Sequence, residues 1–155
     1  MDTQQKIAFK NKLKLVCQTI IEQRIKLSRD TVNNAQQAAN SEEKNSAGDK
    51  YETGRALGHM EKDMHLRHLS ENVKELASLY SVNTDTIYSE VSIGCFIQCK
   101  NLSFFIASGL GKQIIEGEII FFLSPSALLA KSMLHKKAGE YFLFNGVKTE
   151  ILDVY

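Results

Sequence analysis

From Gln5 to Ala39 the chain runs without a proline or a glycine and carries apolar residues at helical intervals. Phe9, Leu13, Val16 and Ile20 step by four, three and four, and Leu27 continues that seam one heptad later. Ile21, Ile25 and Val32 form a second, less regular stripe. At 1.5 Å per residue such a helix is about 50 Å long. Its apolar seam has to be covered, and the next periodic segment supplies a cover. Residues 51–80 carry Leu57, Met60, Met64, Leu69, Val73, Leu76 and Tyr80, with a five-residue step after Met64 that slips the heptad phase. Residues 39–50 are polar and without period, which reads as a turn. Two long helices joined by a short polar link predict an antiparallel helical hairpin, a coiled coil over residues 1–80 with an acidic tip near residues 41–52.

Beyond Ser81 the period falls from that of a helix to two. Val91, Ile93, Cys95, Ile97 and Cys99 share one face of an expected strand, and apolar runs follow at residues 102–107 and 114–123. Ser108-Gly109-Leu110-Gly111-Lys112 reads as a turn. After Pro125, the only proline, residues 126–134 predict a short helix with Ser124 or Ser126 as its cap. Asn145-Gly146, between Tyr141-Phe142-Leu143-Phe144 and residues 147–154, suits the left-handed geometry of a two-residue hairpin turn. The expected fold class is α+β: the hairpin, then a small antiparallel sheet domain with one short helix over residues 81–155.

Composition narrows the function classes. Lys and Arg number 19 against 18 Asp and Glu, a net charge of +1, which gives no global field for wrapping nucleic acid. The first residues lack the apolar run of a signal peptide and no stretch approaches the roughly 18 apolar residues of a membrane span, so a cytoplasmic location is expected. Three cysteines, Cys17, Cys95 and Cys99, make an odd count in which reduced thiols are the expectation. No nucleophile elbow, phosphate loop, dinucleotide glycine signature or zinc spacing occurs, and Gly109-Leu110-Gly111 lacks the third glycine, so a self-contained enzyme is not expected.

Few side chains remain as candidates for chemistry. His65 and His68 on the second helix are spaced to approach one ion, but no third ligand is evident in the sequence. Cys95 and Cys99 flank Ile97 on one strand face, as small buried residues do. Lys6, Lys10, Lys12 and Lys14, with Arg55, Lys62 and Arg67, either line a charged channel or form an ordinary solvated face. The tip carries more information. Gly48-Asp49-Lys50-Tyr51-Glu52 places two acids three residues apart where the second helix begins. One reading is a capping box with Asp49 as N-cap and Glu52 as N3. The other is a pair of carboxylates presented from the end of the hairpin, with Glu42 or Glu43 as a possible substitute for one partner.

A helical hairpin with a Gly-Asp-x-x-Glu tip, followed by a small sheet domain, resembles the Gre-type bacterial transcript-cleavage and elongation factors. The run from Ser124-Pro125 through Lys136-Lys137-Ala138-Gly139-Glu140 is similar to that family's Ser-Pro, short helix, Gly-Lys, Gly-acid segment. His135 stands where the family usually has glycine, and residues 149–155 resemble its closing strand. The tip continues as Thr53-Gly54-Arg55-Ala56 where the family usually has Asn-Ala-acid-Tyr. The resemblance implies an FKBP-like second domain that docks on RNA polymerase near its secondary channel, with nascent RNA or DNA met only inside that complex. It also implies that Asp49 and Glu52 are an accessory catalytic pair, sharing a Mg²⁺ with the polymerase and stimulating its own nuclease. A monomer is the expected state.

Other readings stay open. The same architecture fits a polymerase-binding regulator without cleavage activity. An FKBP-like fold also raises a prolyl isomerase, which needs an aromatic-lined pocket, whereas Phe104, Phe105, Phe121, Phe122, Phe142 and Phe144 all fall in strand runs. A hairpin that serves dimerisation is the remaining alternative.

Overall fold

In the computed structural model, Thr3–Lys44 is one helix of 42 residues (α1) and Gly48–Tyr80 a second of 33 residues (α2). The structure describes residues 1–44 and 48–155, and the side chains of these except at residues 39 and 42–52. Helix α1 opens on a reciprocal cap: the Gln5 N–H donates to Asp2 Oδ1 at 2.8 Å and the Asp2 N–H donates to Gln5 Oε1 at 2.9 Å. Asn72 of α2 donates to Ser28 Oγ of α1 at 3.3 Å. Ser28 precedes the end of α1 by four turns and Asn72 lies six turns into α2, so the two meet because the chain doubles back. The α+β class, with an N-terminal helical pair and a following sheet domain, is as expected.

The chain gathers into two compact units, one of Met1–Gln18 with Ser78–Tyr155 and one of Thr19–Ala77. The first turns of α1 therefore belong with the sheet, whereas the periodicity had placed all of residues 1–80 in one helical domain.

The buried face of α1 also differs from the expected seam. Lys10, Leu13, Cys17, Ile21, Ile25 and Ala35 are buried, and Ser28 and Val32 are half-buried between them. These positions step by three and four throughout. Val16 and Ile20 are only half-buried and Leu27 is 66% exposed. The seam was misphased because a lysine and a cysteine occupy two of its inner positions. The same holds on α2, whose least exposed described positions in the second unit are Gly54, Gly58, Lys62, His65, Leu69, Asn72, Glu75 and Leu76. Leu57, Met60, Met64 and Val73, expected inside, are exposed.

Seven strands build the first unit: β1 (Phe96–Gln98), β2 (Ser103–Ile106), β3 (Gly111–Ile115), β4 (Glu118–Leu123), β5 (Tyr141–Phe144), β6 (Val147–Glu150) and β7 (Asp153–Val154). Five form a sheet in the order β3-β4-β2-β1-β7, and β5 pairs with β6 in a separate two-stranded sheet. The main sheet is mixed, because β2 and β4 run parallel from Ser103↔Ile120 to Ile106↔Leu123. This corrects the expectation of an all-antiparallel sheet, and the reason is local. The expected run 114–123 is interrupted by a tight hairpin at Glu116 (φ 53) and Gly117 (φ 83). β4 folds back along β3 and enters between β3 and β2, and so lies parallel to β2.

The expected strand over residues 91–99 shrinks to β1. The Val91 N–H donates to the Lys136 carbonyl at 2.8 Å and its carbonyl accepts from the His135 N–H at 2.9 Å, so it pairs with the segment after the short helix instead of a strand. Gly94 then turns the chain at φ 92, where a Cβ would fall 2.1 Å from the Asn83 carbonyl oxygen. Ile93 is consequently 47% exposed while Val91, Cys95, Ile97 and Cys99 stay in the core.

The expected closing strand also divides. The Ile151 N–H donates to the Glu140 carbonyl on the β5 side and the Leu152 N–H to the Gln98 carbonyl on the β1 side, so the chain changes sheets between β6 and β7. Helix α3 (Leu128–Met133) follows Pro125, with Ala127 at its N-cap and no side-chain cap bond. Ser124 Oγ and Ser126 Oγ lie 2.9 Å apart and bond each other, which is why neither serine caps the helix. The Asn145-Gly146 turn, with φ 50 and 77, closes β5 on β6 as expected.

The core of this unit is aromatic. Phe104 lies 5.8, 5.5 and 5.3 Å from the rings of Phe121, Phe142 and Phe144. On the other side of the sheet, Phe96 meets Phe9 of α1 edge-on and Tyr155 with the rings tilted by 39°, each at 5.2 Å.

Candidate functional site

Asp49 and Glu52 fall in the opening turn of α2, three residues apart along its backbone. That spacing puts both positions on one flank of the helix, beside the partial positive charge of its N-terminus. Glu42 and Glu43 fall in the last turn of α1. The side chains of all four acids lie outside the described residues, so the sequence supplies only their positions here.

The four lysines near the start of α1 have structural roles. Lys6 bonds Asp153 at 2.8 Å and lies 4.6 Å over the Tyr155 ring. Lys12 pairs with Glu116, and Lys14 Nζ donates to the Val82 carbonyl at 2.7 Å. Lys10 is fully buried, donates to the Thr86 carbonyl and sits 4.8 Å over the Tyr88 ring. Burial lowers the Lys10 amine below its usual value, partly offset by Cys95 and Asp85 nearby. Neither the charged-channel reading nor the solvated-face reading describes this set, whose amines tie α1 to the segments at residues 82–86, 116 and 153. Sequence charge alone gives no sign of that, because each partner is more than sixty residues away.

Cys17, Cys95 and Cys99 are buried and none is in a disulfide. Burial pushes the thiols of Cys95 and Cys99 up to about 11, which keeps them protonated and poor nucleophiles at neutral pH. The expectation of small buried residues holds. On α2, His65 Nε2 lies 3.6 Å from Glu61 Oε1, and the His65 and His68 rings are 6.4 Å apart at 67°. Among the described residues no group of three or more His, Cys, Asp or Glu side chains converges on a common point. Phe104, Phe105, Phe122 and Phe142 pack against other aromatic rings in the interior, so they do not form the walls of an open isomerase pocket.

A site the sequence did not reveal is an open groove of about 700 Å³ between the β1–β2 turn at residues 99–102 and strand β6. Its floor is apolar, with Leu102, Phe144 and Leu152, and Lys100 and Lys148 stand on its rim. These residues are some fifty positions apart and no motif links them. The free edge of a strand after Asn145-Gly146 is the one local signal that pointed there. Among the described residues no helix is long and apolar enough to cross a membrane.

Comparison with known proteins yields no family model matching the chain, no matching curated protein and no matching solved structure.

Proposed function

We propose that this chain is a Gre-like regulator of RNA polymerase. Its sheet domain, read as FKBP-like, docks near the polymerase's secondary channel, and the α1–α2 coiled coil reaches toward the catalytic centre. The observation that carries the reading is the doubling back of α1 on α2 at Ser28 and Asn72, with Asp49 and Glu52 in the turn of α2 that opens the return. A second support is local: His135 has φ 67 at the position where the family usually has glycine, the backbone state that explains a glycine preference there.

The chemistry suits a helper more than a self-contained nuclease. Two carboxylates three residues apart are oxygen ligands of the kind Mg²⁺ prefers, and by themselves they hold it weakly. The chemistry that a second Mg²⁺ would supply in the polymerase centre is water activation and neutralisation of charge at the scissile phosphate. Asp49 and Glu52 would orient that site by accepting from its water shell, and the negative pair is favoured by the N-terminal dipole of α2.

The test is transcript cleavage by purified, backtracked polymerase complexes. With the wild-type chain, shortened RNA appears faster than without it. The double variant Asp49→Ala, Glu52→Ala retains polymerase binding and loses the stimulation. Unchanged cleavage in the variant removes the tip assignment. Binding without cleavage by the wild type leaves the regulator that acts by occupying the channel.

A further inference from the structure

Strand β6 has one partner. It pairs with β5 on one side, and its other side is an edge of the two-stranded sheet. The pairing register shows which groups face outward. The two-residue Asn145-Gly146 loop makes Phe144↔Val147 a hydrogen-bonded pair, so Phe142↔Thr149 is the next bonded pair. The main-chain N–H and C=O of Lys148 and Glu150, in the alternate pairs, therefore point away from β5. All four residues of β6 line the groove, as happens when a strand presents its edge to a cavity and not one of its faces.

The opposite wall is the turn at residues 99–102, and the floor between is Cys99, Leu102, Phe144 and Leu152. The Cys99 thiol is held protonated by burial, so it contributes to the floor as an apolar group. Two lysines, Lys100 and Lys148, border the groove against one acid, Glu150. Lys148 Nζ lies 4.4 Å over the ring of Tyr141 of β5, which also lines the groove.

We propose that this groove binds an extended acidic segment of a partner polypeptide, added as a third strand on the free edge of β6. Main-chain bonds to Lys148 and Glu150 supply the pairing, alternate apolar side chains enter the floor, and acidic ones meet Lys100 and Lys148. The surface lies within the first compact unit and involves neither Asp49 nor Glu52. It is therefore independent of the tip assignment: tip variants that lose cleavage keep this binding, and its failure leaves that assignment untouched.

The experiment uses the labelled full chain on an array of hexapeptides alternating acidic and apolar residues, beside counterparts with lysine in place of each acid. The expected result is preferential binding to the acidic set. In Lys148→Pro the outward N–H is removed while the β5–β6 bonds remain, and binding falls at least tenfold. Lys148→Glu keeps the whole backbone edge and shifts the preference toward the lysine set, so the test survives if the proline variant folds poorly. Amide hydrogen exchange at Lys148 and Glu150 slows in the bound chain, with little change at Val147 and Thr149. Equal binding of both peptide sets, absence of binding to either, or binding that persists in both variants without added protection at Lys148 and Glu150 overturns the proposal.

Discussion

The two compact units bury different kinds of residue. The unit of Met1–Gln18 with Ser78–Tyr155 closes on Phe104, Phe105, Ile106, Ile120, Phe122 and Met133, all almost fully buried. The unit of Thr19–Ala77 brings the apolar Ile21, Ile25 and Ala35 of α1 to its inner side, and there α2 contributes the half-buried Leu69 and Leu76 together with Gly58, Lys62, His65 and Asn72. Meanwhile Leu57 and Met60 are 60% and 69% exposed. The first unit is held by area removed from water. The second relies on a seam that mixes half-buried leucines with polar residues, where polar inner residues hold register at a cost in stability.

The largest expected effect breaks the first unit. Phe104→Ala removes a ring that meets three others, and urea unfolding monitored by tyrosine fluorescence should show a loss of about 3–5 kcal/mol. Next is alkaline pH. The Cys95 thiol titrates near 9 when unfolded and at about 11 when folded, so between those values the folded chain binds more protons and stability falls as pH rises. Cys95 alone accounts for about 2 kcal/mol of that fall. Cys99 adds in the same direction from 9 to about 11, and Tyr155 from 10 to about 12. Lys10, lowered by burial, works the opposite way, gaining stability as pH rises toward 10.5. Urea midpoints at pH 8 and 11 should therefore diverge, and Cys95→Val should reduce the divergence.

Lys10→Met tests the buried amine directly. It strands the Thr86 carbonyl, for which the expected cost at neutral pH is about 1–3 kcal/mol by the same urea titration. In the second unit the sign reverses. Asn72→Leu fills an inner position with an apolar side chain, and the helical signal should melt later, by about 1 kcal/mol of added stability. A destabilised Asn72→Leu would mean that the bond to Ser28 outweighs burial, and the contrast between the units would narrow. The smallest effect is Leu57→Ser, which should change thermal stability by less than about 0.5 kcal/mol because that side chain is largely in water. A larger loss would show that the exposed face of α2 is covered.

Much of this was legible. The two helices, the change to period two after Ser81 and the Asn145-Gly146 hairpin follow from local patterns with local causes, whereas of residues 39–50, expected as a turn, 39–44 continue α1, 48–50 open α2 and 45–47 lie outside the described residues. The phase of the helix seams was not legible, because Lys10 and Cys17 occupy inner positions that an apolar count skips, while Leu27 and Met60 look internal and are exposed. The candidate site divides the same way. Asp49 and Glu52 stand out by spacing alone, whereas the groove at β6 joins residues whose proximity exists only after the chain has changed sheets at Ile151 and Leu152.

By itself, then, the sequence determined where helix gives way to strand and where the Asn145-Gly146 hairpin closes, since backbone propensity and hydrophobic period act over a few residues. Tertiary structure decided which face of each helix is inner, that β4 enters between β3 and β2, and that the start of α1, up to Gln18, joins the sheet unit. Those choices depend on partners far apart in the chain. A buried lysine is tolerable only where a carbonyl such as that of Thr86 and a ring such as that of Tyr88 already wait for it.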